Sequence, residues 1–126
     1  MDNYVVKKTD AFRADIKNPT RTSYIFFDGE KIKNISGGSV DIPVNSGLVS
    51  HAHENEEELM FVYKGRGEYS IDGQSFPIEP ETMIFAPAGL EHRIVNTGTE
   101  TLSVVFFYSP PGPEQNIRVL SRASGD

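Results

Sequence analysis

Eight prolines and 11 glycines cut this chain roughly every 8 to 12 residues, and the runs between them are short and rich in Val, Ile, Phe and Tyr. Few helices fit between such breaks, and no apolar period of 3.6 residues is sustained. The reading is therefore all-β, a sandwich or barrel. Strands are expected over 23–27, 39–42, 47–53, 58–64, 67–71, 74–78, 83–86, 92–96 and 101–109. Asp72 and Gly73, between Ile71 and Gln74, read as a two-residue turn of type I′. Lys64-Gly65-Arg66-Gly67 and Asn96-Thr97-Gly98-Thr99 read as further hairpin connections, which makes the joined strands antiparallel.

The two ends have a different texture. Residues 1–20 carry scattered charges and read as an N-terminal arm packed on the barrel or on a partner subunit. After Tyr108, the prolines at 110, 111 and 113 remove backbone donors, so this Pro-rich C-terminal tail cannot be a central strand and leaves the barrel. The 126 residues suffice for one domain with its own core.

Chemistry is narrowed by what is absent. Without cysteine there is neither disulfide nor thiolate, so a transition metal would be held by imidazole and carboxylate. A net charge of −6 with no clustered Lys/Arg stripe offers a nucleic acid little to bind. No run approaches the roughly 18 apolar residues of a membrane span, and the cytoplasm is the expected compartment.

Within those limits the three histidines stand out. His51 and His53 are two apart, so in an extended segment both rings point to one face. Glu58 opens the next apolar run, beyond the loop 54–57, and antiparallel pairing would bring its carboxylate beside the rings. Glu57 takes that place if the loop is one residue tighter. His92, after the Pro87-Ala88-Gly89 turn, is the only other histidine. Parity then sends Met60 and Val62 inward with Glu58, and Ile94 inward with His92; with Phe85 these are the pocket candidates. Phe106, Phe107 and Tyr108 read first as core. Arg21, Tyr24, Tyr63 and Tyr69 are further residues within possible reach of a substrate.

From Gly47 to Gly65 the order is glycine, His-x-His, four residues, glutamate, six residues, glycine, which resembles the first motif of the cupin superfamily. Pro87, Gly89, His92 and Asn96 match its second motif, and Glu81 stands where that motif opens with glycine. The resemblance covers about residues 38–109. It implies a double-stranded β-helix, or jelly-roll, barrel in which His51, His53, Glu58 and His92 hold one divalent ion: Fe, Mn, Ni, Co or Zn. Four protein ligands leave two positions open on a six-coordinate metal, as in catalytic rather than closed sites. The leading expectation is an Fe(II) dioxygenase on a small carbonyl or hydroxy-acid compound. Alternatives are a non-redox isomerase, lyase or decarboxylase, and a module that binds a sugar or other small ligand. A homodimer is expected, because the aromatic strand 23–27 would otherwise be an exposed edge.

Overall fold

The structure, a computed structural model, describes residues 4–125. A 3-10 turn at Lys8–Asp10 precedes nine strands: β1 (Phe12–Ile16), β2 (Arg21–Phe27), β3 (Ser36–Ile42), β4 (Glu57–Lys64), β5 (Gly67–Ile71), β6 (Gln74–Ile78), β7 (Thr82–Ala86), β8 (His92–Asn96) and β9 (Leu102–Ser109). A single helix, α1 (Gln115–Gly125), follows. The strands form a six-stranded sheet in the order β1-β2-β3-β9-β4-β7 and a three-stranded sheet in the order β6-β5-β8. All strand pairings are antiparallel. This is the two-sheet roll that the turn spacing and the motifs imply. No helix among the described residues is long and apolar enough to cross a membrane.

Side-chain alternation puts the core between the sheets. On β4, Glu58, Met60 and Val62 are buried while Leu59 and Tyr63 are exposed, and on β8 His92, Ile94 and Asn96 are buried. Val62, Ile42, Leu102 and Val104 are wholly excluded from solvent and belong to one core cluster. Asn96, the last residue of the second motif, is 3 % exposed yet fully paired: Nδ2 donates to the carbonyls of Ile42 and Glu100, and Oδ1 accepts from Gly98 N–H.

Several local expectations are corrected. Asp72 and Gly73 do form the two-residue β5–β6 turn, with φ of 50° and 72° as type I′ requires. The connections at 64–67 and 96–99, however, carry the chain from one sheet to the other, because β5 and β8 belong to the small sheet and β4 and β9 to the large one. Gly65 is required at the first crossing: φ is +83°, and a Cβ there would run into the Thr101 carbonyl. Glu81 keeps the left-handed turn of the motif's glycine, with φ of 67°, and its N–H donates to Val62 O.

Segment 47–53 is not a regular strand and touches β8 through isolated bridges at Gly47 and His51. Residues 12–16 of the expected arm are the edge strand β1, paired along its length with β2. Strand β2 therefore has neighbours on both sides, and the exposed-edge reason for a dimer does not hold. The tail does leave the sheets at Ser109 but then forms α1, whose first turn follows Pro113, where a missing N–H costs no helical bond.

Candidate metal centre

Four side chains from three parts of the chain converge between the sheets. Glu58 comes from β4 and His92 from the start of β8. The segment carrying His51 and His53 is held beside them by His51 N–H to His92 O (3.0 Å), His92 N–H to His51 O (2.8 Å) and Gly89 N–H to His53 O (2.8 Å). Though irregular, this segment keeps the period of two: both rings are partly buried and Ala52 between them is exposed. One potential ligand atom from each of the four residues lies within 4.8 Å of all the others. Glu58, 5 % exposed, is the inward carboxylate, and Glu57 faces solvent.

The rings are oriented from behind. Nδ1 of His51 lies 2.8 Å from the Val49 carbonyl and Nδ1 of His92 lies 3.0 Å from the Leu90 carbonyl. Carbonyls only accept, so each Nδ1 carries the proton and each Nε2 lone pair is left for the centre. Glu58 Oε1 sits 3.1 Å from His92 Nε2 and 3.5 Å from His53 Nε2. Nε2 of His53 is buried and has no hydrogen-bond partner. An orphaned buried nitrogen beside a buried carboxylate is what a divalent cation would satisfy, so the residues fit one.

Electrostatics follow from burial. Desolvation pushes the His51 pKa below its ordinary value. Burial works most strongly against charged His92, but the Glu58 carboxylate and the Leu90 carbonyl together outweigh it and the pKa is raised. For Glu58 the burial penalty is outweighed by His53 and His92, so its pKa is lowered. Tyr108, whose ring centroid is 5.0 Å from that of His53, is held as a neutral phenol well above its ordinary pKa, by burial first and then by the Glu58 carboxylate it faces.

The centre opens into a cavity of about 450 Å³, within the size range of small-molecule sites. Met60 and Ile94 line it. Val62 does not, because it is sealed in the core farther along β4. Phe85 does not either: Ile84 and Ala86 take the inward positions of β7, which turns Phe85 outward, 49 % exposed. Phe106 and Tyr108 reach the cavity, and Phe107 between them faces out. Of the further residues, Arg21 lines the cavity, whereas Tyr69 is spent on the Phe85 carbonyl at 3.1 Å, and Tyr24 and Tyr63 are not in the lining.

Sequence reasoning missed the cavity's outer wall. Asn116, Ile117, Val119 and Leu120 of α1 and Ile16, Lys17 and Asn18 of the β1 end complete it. The spacing of Ile117 and Leu120, one helical turn apart after Pro113, is the signal that could have revealed it.

The family model for the cupin domain matches residues 38–108. Among curated proteins, the chain is 34 % identical over 70 residues to polyketide synthase CurC of Streptomyces cyaneus, which covers 56 % of this chain and 46 % of that one. It is 33 % identical over 61 residues to an oxalate-binding protein of Thermotoga maritima, covering 48 % and 50 %. The match thus spans about half the length of these relatives. Among solved structures, one titled a predicted oxalate decarboxylase, from Thermotoga maritima, superimposes with a TM-score of 0.76 at 22 % identity, over 84 % of this chain and 98 % of that one. The polyketide cyclase RemF of Streptomyces resistomycificus does so with a TM-score of 0.74 at 19 % identity, over 88 % and 82 %. With both motifs in place, the fold they imply and a family match over more than half its length, the chain belongs to the cupin family.

Proposed function

We propose that this cupin is a metal-dependent enzyme acting on a small, oxygen-bearing organic molecule, and more specifically an Fe(II) dioxygenase of a carbonyl or hydroxy-acid compound. One divalent ion would be held by His51, His53, Glu58 and His92. Bound there with two positions left, it would supply Lewis acidity and, as Fe(II), electrons for O2. The observation that carries the oxidative reading is what else titrates in the cavity. Apart from the four ligands, the described residues of the lining offer only Lys17, Arg21 and Tyr108. Lys17 is exposed, Arg21 is a guanidinium that stays charged, and burial pushes the pKa of the Tyr108 phenol up, so neither of the two groups set into the cavity is a base poised near neutral pH. Chemistry that begins with proton abstraction by the protein is poorly served by this lining.

The chain's own residues have clear parts in this reading. The backbone carbonyls of Val49 and Leu90 fix the two rings, the apolar walls exclude water, and α1 supplies one of those walls. A second reading, a non-redox lyase or decarboxylase, is favoured by Tyr108, a neutral phenol beside the centre that can donate a proton. Oxygen consumption with diketones, hydroxy acids and uronate sugars separates the two. Stoichiometric O2 uptake supports the dioxygenase, and equal turnover under strict anaerobiosis replaces it with the lyase.

The reading includes a second copy of the chain as partner. The outer face of the large sheet presents Leu59, Tyr63, Met83, Phe85 and Phe107, all at least a third exposed, with Leu59 in register between Phe85 and Phe107. A contiguous apolar face of this kind is uncommon on a monomer. Light scattering at micromolar concentration is expected to give twice the chain mass, and Phe85→Glu to halve it. A monomeric wild-type chain would remove the dimer.

A further inference from the structure

We propose that Arg21 is the specificity residue of the cavity and that it selects an amphipathic carboxylate, with the anionic group at the end of the cavity opposite the four-ligand centre. The inference rests on the reading that the cavity receives a small molecule, and it names that molecule's class.

Arg21 opens β2 on the inward parity of Ser23 and Ile25, is half-buried, and lines the cavity. Its hydrogen bond is to a backbone carbonyl, from Nη1 to Pro19 O at 2.8 Å. Among the described residues, Lys8, Arg13, Lys64, Arg66 and Arg118 each pair with a carboxylate. Arg21 has none; Lys17, the other cation of the lining, has none either but is exposed to water, whereas Arg21 is half-buried, and among the described residues the only acid in the lining is Glu58, committed to the histidines. Desolvation holds the Arg21 pKa below its ordinary value, yet a guanidinium stays charged. A partly desolvated cation with no counter-charge is unfavourable in the empty cavity. A ligand carboxylate would supply the missing charge, and its two oxygens match the planar fork of the guanidinium.

The position is fixed by pairing. Ser46 Oγ donates to Thr20 O, which seats the start of β2 beside Ser46. From there the chain follows β8: Asn96 N–H donates to Ser46 O, Leu48 N–H to Ile94 O, and His51 N–H to His92 O. Asn96 to His92 is four residues of strand, on the order of 13 Å at about 3.3 Å each. The wall along that path is apolar, with Leu48, Val49, Ile94, Val104 and Phe106. The cavity therefore has ligand nitrogens at one end, a cation at the other and a hydrocarbon surface between them.

Calorimetric titration of the full chain with octanoate and with octan-1-ol tests this, before and after treatment with a chelator. Octanoate is expected to bind at least about tenfold more tightly than the alcohol, as charge-assisted hydrogen bonds in a partly dry site allow. The preference should survive chelation, be lost in Arg21→Gln and be partly kept in Arg21→Lys. No octanoate binding at millimolar concentration, equal binding of the two ligands, or an undiminished preference in Arg21→Gln would overturn the assignment. A preference that vanishes with the chelator would place the carboxylate on the metal instead and also overturn it. Metal content and O2 uptake, which carry the enzymatic reading, are independent of these outcomes.

Discussion

Asn96 donates from Nδ2 to the Ile42 carbonyl across 54 residues of sequence, at 2.8 Å and in the buried interior. That bond ties the end of β8 in the small sheet to the end of β3 in the large one, and the same side chain closes the 96–100 turn. Replacing it by alanine leaves the Ile42 carbonyl buried without a donor. Asn96→Ala is expected to lower unfolding free energy by about 2–4 kcal/mol, from lost bonds and one stranded acceptor. Urea denaturation checks this, and a loss below half a kilocalorie would show that Asn96 is a bystander.

Which side chains face together was more legible than how the two sheets connect. Period-two parity needs only that a segment be extended, so His51 and His53 face together even though 47–53 is not a ladder strand. The same parity buried Met60, Val62 and Ile94 correctly, but it gives a face and not a depth, which is why Val62 ended in the core instead of the cavity. Three residues separate Gly47 from His51, and the role of this glycine is close approach, since a Cβ there would press on the Ile94 carbonyl. Turn residues announced reversals at 64–67 and 96–99 without saying which sheet comes next, because that choice is made by long-range pairing. Helix α1 was hidden because three prolines just before it masked a short apolar spacing stabilised mainly by packing, with Arg118 on Asp28 (2.8 Å) and Ser124 Oγ accepting from Lys17 N–H (3.1 Å).

Glu81 has a φ of 67°, a conformation that penalises any residue with a Cβ. Its side chain is exposed and its N–H bond to Val62 O is independent of side-chain identity. Glu81→Gly is therefore expected to raise stability by about 0.5–1 kcal/mol, the relief of strain exceeding glycine's extra unfolded-state entropy. A thermal midpoint below wild type would show that the turn is not strained.

Glu114, 1 % exposed, fixes the start of α1: its carboxylate accepts from Ser36 Oγ (2.7 Å), Gly112 N–H (2.8 Å) and Gly29 N–H (3.1 Å). Burial raises its pKa, but these donors outweigh it and the folded value lies below the ordinary carboxylate value. A group depressed in this way stabilises fully above its unfolded pKa of about 4.3 and loses that contribution as pH falls through the folded value. Glu114→Gln should thus be less stable than wild type by about 1–2 kcal/mol at pH 7, with the gap closing below about pH 4. A gap that stays constant from pH 7 to pH 3 would show that the charge is irrelevant to docking α1.

The most direct test of the account is the metal content of chain purified without added metal, measured by plasma mass spectrometry alongside His92→Ala and His51→Ala. Close to one divalent ion per wild-type chain is expected, falling below about a tenth in either variant while circular dichroism still reports a folded β-barrel, since each imidazole is a quarter of the ligand set. Wild-type chain that stays metal-free when offered Fe(II), Mn(II), Ni(II), Co(II) or Zn(II), or variants that keep full occupancy, would contradict the assignment of His51, His53, Glu58 and His92 as a metal centre.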